Sequence, residues 1–248
     1  MRPMFLICLG LSATAALLVF AGPASAQQLT LDLGEGASTT GRIVELIALI
    51  TVLSLAPAIL VTVTSFTRIV VVLSFLRQAL GTQSAPPNMV MASLALFLTG
   101  FVMAPTLEAS YTQGIETIIA NQIDEMQAFD LAIKPVHAFM IRQVRDQDLR
   151  LFLDLSRTPP PAKAEDMPLP VLIPAFMISE LRRAFEIGFL IYLPFLIIDM
   201  LVASVLMSMG MMMLPPATFA LPFKLIFFVL VDGWYLVAGS LVQSFGAG

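Results

Sequence analysis

One segment limits what this chain can become. From Pro170 to Phe189 about ten positions are apolar, yet Glu180, Arg182, Arg183 and Glu186 fall among them. For a lone helix in lipid, charges at the centre would cost roughly 10–14 kcal/mol together, while the apolar side chains return only about 3–6 kcal/mol. The segment therefore lies at a membrane surface with its charges in water, or is packed against other protein beside a wet channel. Spacing gives partial relief. Glu180 and Arg183 stand three apart and Arg182 and Glu186 four apart, so each pair can meet on a helix face. Even paired, such groups need further polar partners.

The rest of the chain makes membrane the natural solvent. Hydrophobic residues are 58% of the sequence and charged ones 12%, against an apolar share of about 45–50% in ordinary soluble domains. Arg2, the apolar run Met4 to Phe20 and the small residues Ala24 and Ala26 read as a signal peptide over 1–26, cleaved after Ala26, with 27–42 as a short exported tail. Residues 43–107 form a first helical hairpin. Its spans are Ile43 to Val63, kinked by Pro57, and Asn88 to Leu107; Phe66 to Leu80, carrying Arg68 and Arg77 without an acid, faces the cytoplasm between them. Residues 108–169 are a polar extracytoplasmic insert. Within it, Ile115, Ile118, Ile119 and Ile123, and then Val136, Phe139, Met140 and Val144, recur at helical spacing and predict two amphipathic helices. Residues 170–248 hold a third span, Ile187 to Leu206, and a fourth, Ala217 to Val242, joined by a methionine-rich connection on the inner side. The fold class is all-α, built of membrane-type helical hairpins.

Several chemistries have no residues to run on. Cys8 is the only cysteine and His137 the only histidine, which leaves no thiolate pair or metal-ligand set, and His137 reads as an ordinary surface imidazole. The net charge of −4 is without a basic, aromatic-laced stretch, so no nucleic acid is expected. No phosphate-cradling glycine motif or nucleophile constellation stands out, so neither an enzyme nor a cofactor is expected. The carboxylates Asp199 and Asp232 lie in otherwise apolar spans, where such groups mark function, with Lys224 and the arginines as possible countercharges. They leave open a secondary transporter of ions or small solutes. The absence of any internal repeat and the small number of spans speak against it.

The run Pro174-Ala175-Phe176-Met177-Ile178-Ser179-Glu180-Leu181-Arg182-Arg183-Ala184-Phe185-Glu186-Ile187-Gly188-Phe189 resembles the first signature of the FliP family of flagellar and type III secretion export gates. The likeness continues through Pro194 to Asp199, Ser204 to Pro216, Leu221-Pro222-Phe223-Lys224 and Val231-Asp232-Gly233-Trp234. It implies several copies of the subunit, joined with FliQ-like and FliR-like subunits and other export-apparatus membrane proteins, around a conduit for unfolded protein substrates. The location implied is the bacterial inner membrane at the flagellar basal body, with the insert periplasmic. The Met-Met-Met-Leu-Pro-Pro form of the loop leans to the flagellar branch. The resemblance further implies bent hairpins lying largely outside the bilayer plane, so that Glu180, Arg182, Arg183, Glu186, Asp199, Lys224 and Asp232 meet neighbouring subunits rather than lipid. It also implies that Met207, Met209, Met211, Met212 and Met213 form a gasket around the pore. Methionine suits that task, being apolar, unbranched and flexible, and suits gap-filling in a core as well. Gly210 would let the loop bend, and Pro215 and Pro216 would fix its exit.

Overall fold

The computed structural model describes residues 39–82, 84–119, 125–211 and 213–246. The cleavage site after Ala26, most of the exported tail, Ile123 and Met212 lie outside them. The described residues are helical with no strand, which is the expected fold class. Two compact units divide at Leu53 and Ser54; among described residues the first holds only the start of helix α1 (Thr39–Val63).

In the second unit a bend of 80° separates Pro57–Val63 from α2 (Phe66–Leu80). Breaking a helix in an apolar setting strips carbonyls of their partners, and hydroxyls replace them here. Thr67 Oγ1 donates to Val61 O at 2.8 Å and Thr64 Oγ1 to Leu60 O at 2.6 Å. Past the bend, α2 is buried on most sides, with Ile69, Val72, Leu73, Leu76 and Leu80 following helical spacing into the core. It packs along α7 (Leu169–Ser208), the longest helix at 40 residues. The two approach closely at Gly188, where a Cβ would stand 2.5 Å from Phe75 Cδ2, so only glycine admits that ring. Phe185, one turn away, meets Phe75 edge-on at 5.1 Å. The charged segment and the expected third span are thus one continuous helix.

Helix α3 (Asn88–Ser110) runs on through a π turn, Tyr111–Ile115, into the short α4 (Glu116–Ile119). The first isoleucine stripe therefore falls on an extension of the second span and not on a separate helix. The second stripe lies on α5 (Glu125–Gln143), which buries Phe139 and Met140. A further helix, α6 (Asp146–Ser156), is one the sequence reading did not single out, although Leu149, Phe152 and Leu153 mark an apolar face; Asp146 and Asp148 in its first turn complement its dipole. His137 is not a free surface imidazole: its Nε2 lies 2.8 Å from Met167 O, tying α5 to the connector that enters α7.

The expected fourth span is two helices, α8 (Pro216–Leu230) and α9 (Gly233–Gln243), bent by 64°. Asp232 sits at the break with φ of 51°, a left-handed backbone that aspartate tolerates better than most residues. Among the described residues, Asn88–Gly114 and Leu169–Ser208 are long and apolar enough to cross a membrane, and each bent pair, taken as one span, raises the number to four. Large apolar side chains stand outward, with Met89 at 80%, Phe97 at 78% and Leu230 at 79% exposure, more than an aqueous monomer tolerates as a continuous surface.

Candidate functional site: buried ion pairs and a methionine turn

The charged turn of α7 does not pair as spacing alone suggests. Glu180 passes over Arg183 and binds Arg68 of α2, both side chains being wholly buried. Arg68 Nε donates to Glu180 Oε2 at 2.8 Å and Nη2 to Oε1 at 2.5 Å. The remaining donors go to Gln143 Oε1 at 3.1 Å, Ser244 O at 2.9 Å and Ser244 Oγ at 3.1 Å. Every N–H of this guanidinium therefore has an acceptor, which is what a buried arginine requires. The Phe245 ring lies 3.7 Å from Arg68 Cζ and adds a cation–π contact. Two expectations change with this pair. Arg68 is not a solvent-facing charge that orients the first hairpin, and Glu180 has no free surface to offer a neighbouring chain.

Arg183 turns instead to Gln143 Oε1, at 2.7 Å. Gln143 Nε2 donates to Phe245 O at 3.0 Å, so one amide joins two arginines to the segment after α9. Nearby, Ser179 Oγ donates to Asp148 Oδ2 at 2.6 Å and accepts from the Arg145 backbone N–H at 3.1 Å, which fastens the start of α6 to α7. Arg182 and Glu186 do form the pair that spacing predicts, at 2.9 Å, and stand 57% and 59% exposed. With Arg145, Asp146 and Arg183 they line an open, polar cleft of about 530 Å³.

Farther along α7, Asp199 Oδ2 accepts from Lys224 Nζ of α8 at 2.6 Å. Lys224, 5% exposed, has its countercharge within the chain. Asp199 Oδ1 is buried with no hydrogen-bond partner. Asp232 joins neither pair; it stands exposed at the break between α8 and α9.

The methionine-rich connection is a well-formed helix stop. Met211 N–H bonds Leu206 O at 3.0 Å and Gly210 N–H bonds Met207 O at 3.0 Å, with Gly210 at φ of 76° between them. That is a Schellman cap with glycine in its left-handed position. Pro215 and Pro216 then start α8, Pro216 occupying the first helical position, where a missing N–H costs nothing. Around this cap the described methionines stand outside the core: Met207 and Met209 are 62% exposed, Met211 43% and Met213 99%. Core gap-fillers would be buried, and these four described residues are not.

Sequence reasoning missed Arg68 and Gln143 as parts of the site. An arginine in an apolar helix with no acid within a turn was the available signal for Arg68; Gln143 gave none. No group of His, Cys, Asp and Glu among the described residues could hold a metal ion.

Residues 49–241 match the family model described as the FliP family. The chain is 58% identical over 238 residues to flagellar biosynthetic protein FliP of Caulobacter vibrioides, covering 96% of this chain and 90% of that protein. It is 53% identical over 211 residues to the protein of the same name from Bacillus subtilis, covering 85% and 94%. The counterpart from Agrobacterium fabrum is 49% identical over 236 residues, covering 93% and 96%. With signature turn, ion pairs and glycine-capped methionine loop all inside the matched span, this chain belongs to the FliP family.

Proposed function

We propose that this chain is a core subunit of the flagellar type III export gate, passing unfolded proteins across the bacterial inner membrane. Several copies stand with FliQ-like and FliR-like subunits around an axis, and each contributes its methionine turn to a closing ring. The observation that carries the reading is the turn itself: a glycine-capped helix stop around which Met207, Met209, Met211 and Met213 stand exposed. A ring of such side chains excludes water and ions when idle, because an apolar constriction dewets, and repacks around a passing polypeptide because methionine has many rotamers. The subunit supplies a passage and no catalysis.

The outward apolar faces of α3, α7 and α8 fit the same reading, being surface for sibling subunits and lipid. The exposed Arg182–Glu186 pair, in the polar cleft, is the charged contact offered to a neighbour. The insert of 108–169 lies on the periplasmic side. Replacing Met211, Met212 and Met213 together by Gly tests the ring: ion leakage across cells carrying the assembled variant complex rises. Unchanged conductance with intact assembly rejects the gasket. A purified chain that moves small solutes in liposomes as a monomer or dimer would replace this reading with that of a transporter.

A further inference from the structure

We propose that Ser244–Phe245 is a latch, which by docking on Arg68 and Gln143 sets the position of the Arg183 charge in the polar cleft. The argument runs through one amide. Gln143 Nε2 donates to Phe245 O at 3.0 Å, and this fixes Oε1 toward Arg68 Nη2 at 3.1 Å and Arg183 Nη1 at 2.7 Å. Turned over, the amide would present its NH₂ to two guanidiniums, donors against donors; the Phe245 carbonyl takes that NH₂ and anchors the amide in the orientation, and at the place, that can hold Arg183.

The socket is built for this segment. Ser244 supplies both acceptors of Arg68 Nη1. The Phe245 ring, 7% exposed, lies over the Arg68 guanidinium and stacks with Phe139 of α5 at 6.2 Å. The bonded partners sit as many as 176 positions apart in sequence. With the segment undocked, Arg68 keeps Glu180 but has two N–H groups unmatched, which compete with Arg183 for Gln143 Oε1, while the Gln143 NH₂ loses the acceptor that anchors the amide. Arg183 is then free to swing toward Arg145, Arg182 and Glu186, which line the cleft with it. Whether the latch is closed is thereby expressed as the position of a positive charge on an exposed surface. The inference stands whether or not the methionine turns form a ring.

Arginine-selective dicarbonyl modification of the full chain in detergent, read residue by residue by peptide mass spectrometry, tests it. Removal of the residues from Ser244 onward raises modification of Arg183 about tenfold, the worth of one charge-assisted hydrogen bond. Arg182, already exposed, is unchanged. Gln143→Leu, with the latch residues present, gives the same rise at Arg183. No rise at Arg183 in either variant overturns the proposal. A variant that merely unfolds raises every arginine together, and the native chain then decides. Its Ser244, Phe245 and Gly246 amides bond the carbonyls of Ser240, Val242 and Gln243, and a closed latch slows their hydrogen exchange at least about 100-fold below unstructured peptide. Exchange at the unstructured rate overturns the proposal.

Discussion

Replacing Arg68 by Met keeps length and apolar bulk but leaves Glu180 as a buried carboxylate without a partner. Both Glu180 oxygens bond only to Arg68, and both side chains have no exposed surface, so water cannot substitute without opening the α2–α7 seam. Breaking a buried pair by removing one partner costs about 3–5 kcal/mol. That is roughly 150- to 5,000-fold in the folding equilibrium, a large part of the ~5–15 kcal/mol that holds a domain together. Removing both charges behaves differently. In Arg68→Met with Glu180→Met no ion is stranded, and the remaining penalty, mainly the lost donors at Ser244, is about 1–2 kcal/mol. Trp234, the only tryptophan, packs edge-on against Phe228 at 5.4 Å and reports unfolding by fluorescence. Denaturant midpoints in detergent for native, single and double variants give the comparison. A single variant within about 1 kcal/mol of native, or a double variant as damaged as the single, refutes the claim that the carboxylate depends on this arginine.

Other outcomes follow from the same geometry. Asp199→Asn leaves Lys224, 5% exposed, without its counterion, and lowers stability by about 3 kcal/mol in the same assay. Arg182→Ala and Glu186→Ala each change the stability of the isolated chain by less than about 0.5 kcal/mol, since the pair is exposed, yet weaken assembly of purified complexes; normal assembly by both rejects them as a subunit contact. Gly188→Ala drives a methyl onto Phe75 and costs about 1–3 kcal/mol, with Phe75→Leu in the same chain restoring part of it. Gly210→Ala meets no steric obstacle but keeps a left-handed backbone, so it costs about 1 kcal/mol and Gly210→Asn less, read as midpoint shifts.

What could be read from the sequence was local. Gly210 followed by Pro215 and Pro216 announces a helix stop and a helix start, because both requirements are set by backbone conformation within a few residues. The Arg182–Glu186 pair lies one helical turn apart, and its meeting needs nothing beyond the helix. The long apolar runs made an all-α chain the natural solution, since helices satisfy their own backbone. The same local reading failed where a local partner competed with a distant one. Glu180 had Arg183 three residues away and chose Arg68, 112 positions back, because a buried carboxylate gains more from a bidentate, fully desolvated guanidinium than from one partly exposed at the cleft. The fourth span looked continuous because hydropathy carries no record of the left-handed turn at Asp232.

The sequence by itself therefore determined the helical class, the family signature, the methionine turn and the need to shelter charge, since each depends on composition or on neighbours along the chain. Only the tertiary structure decided which charges are sheltered inside and which remain outside. Arg68, Glu180 and Lys224 are compensated within the chain, while Arg182 and Glu186 stay at the surface. The reason is physical: the energy of a charge depends on the acceptors and donors around it in space, and here those come from α2, α5, α7 and the segment after α9, which no spacing along the chain brings together.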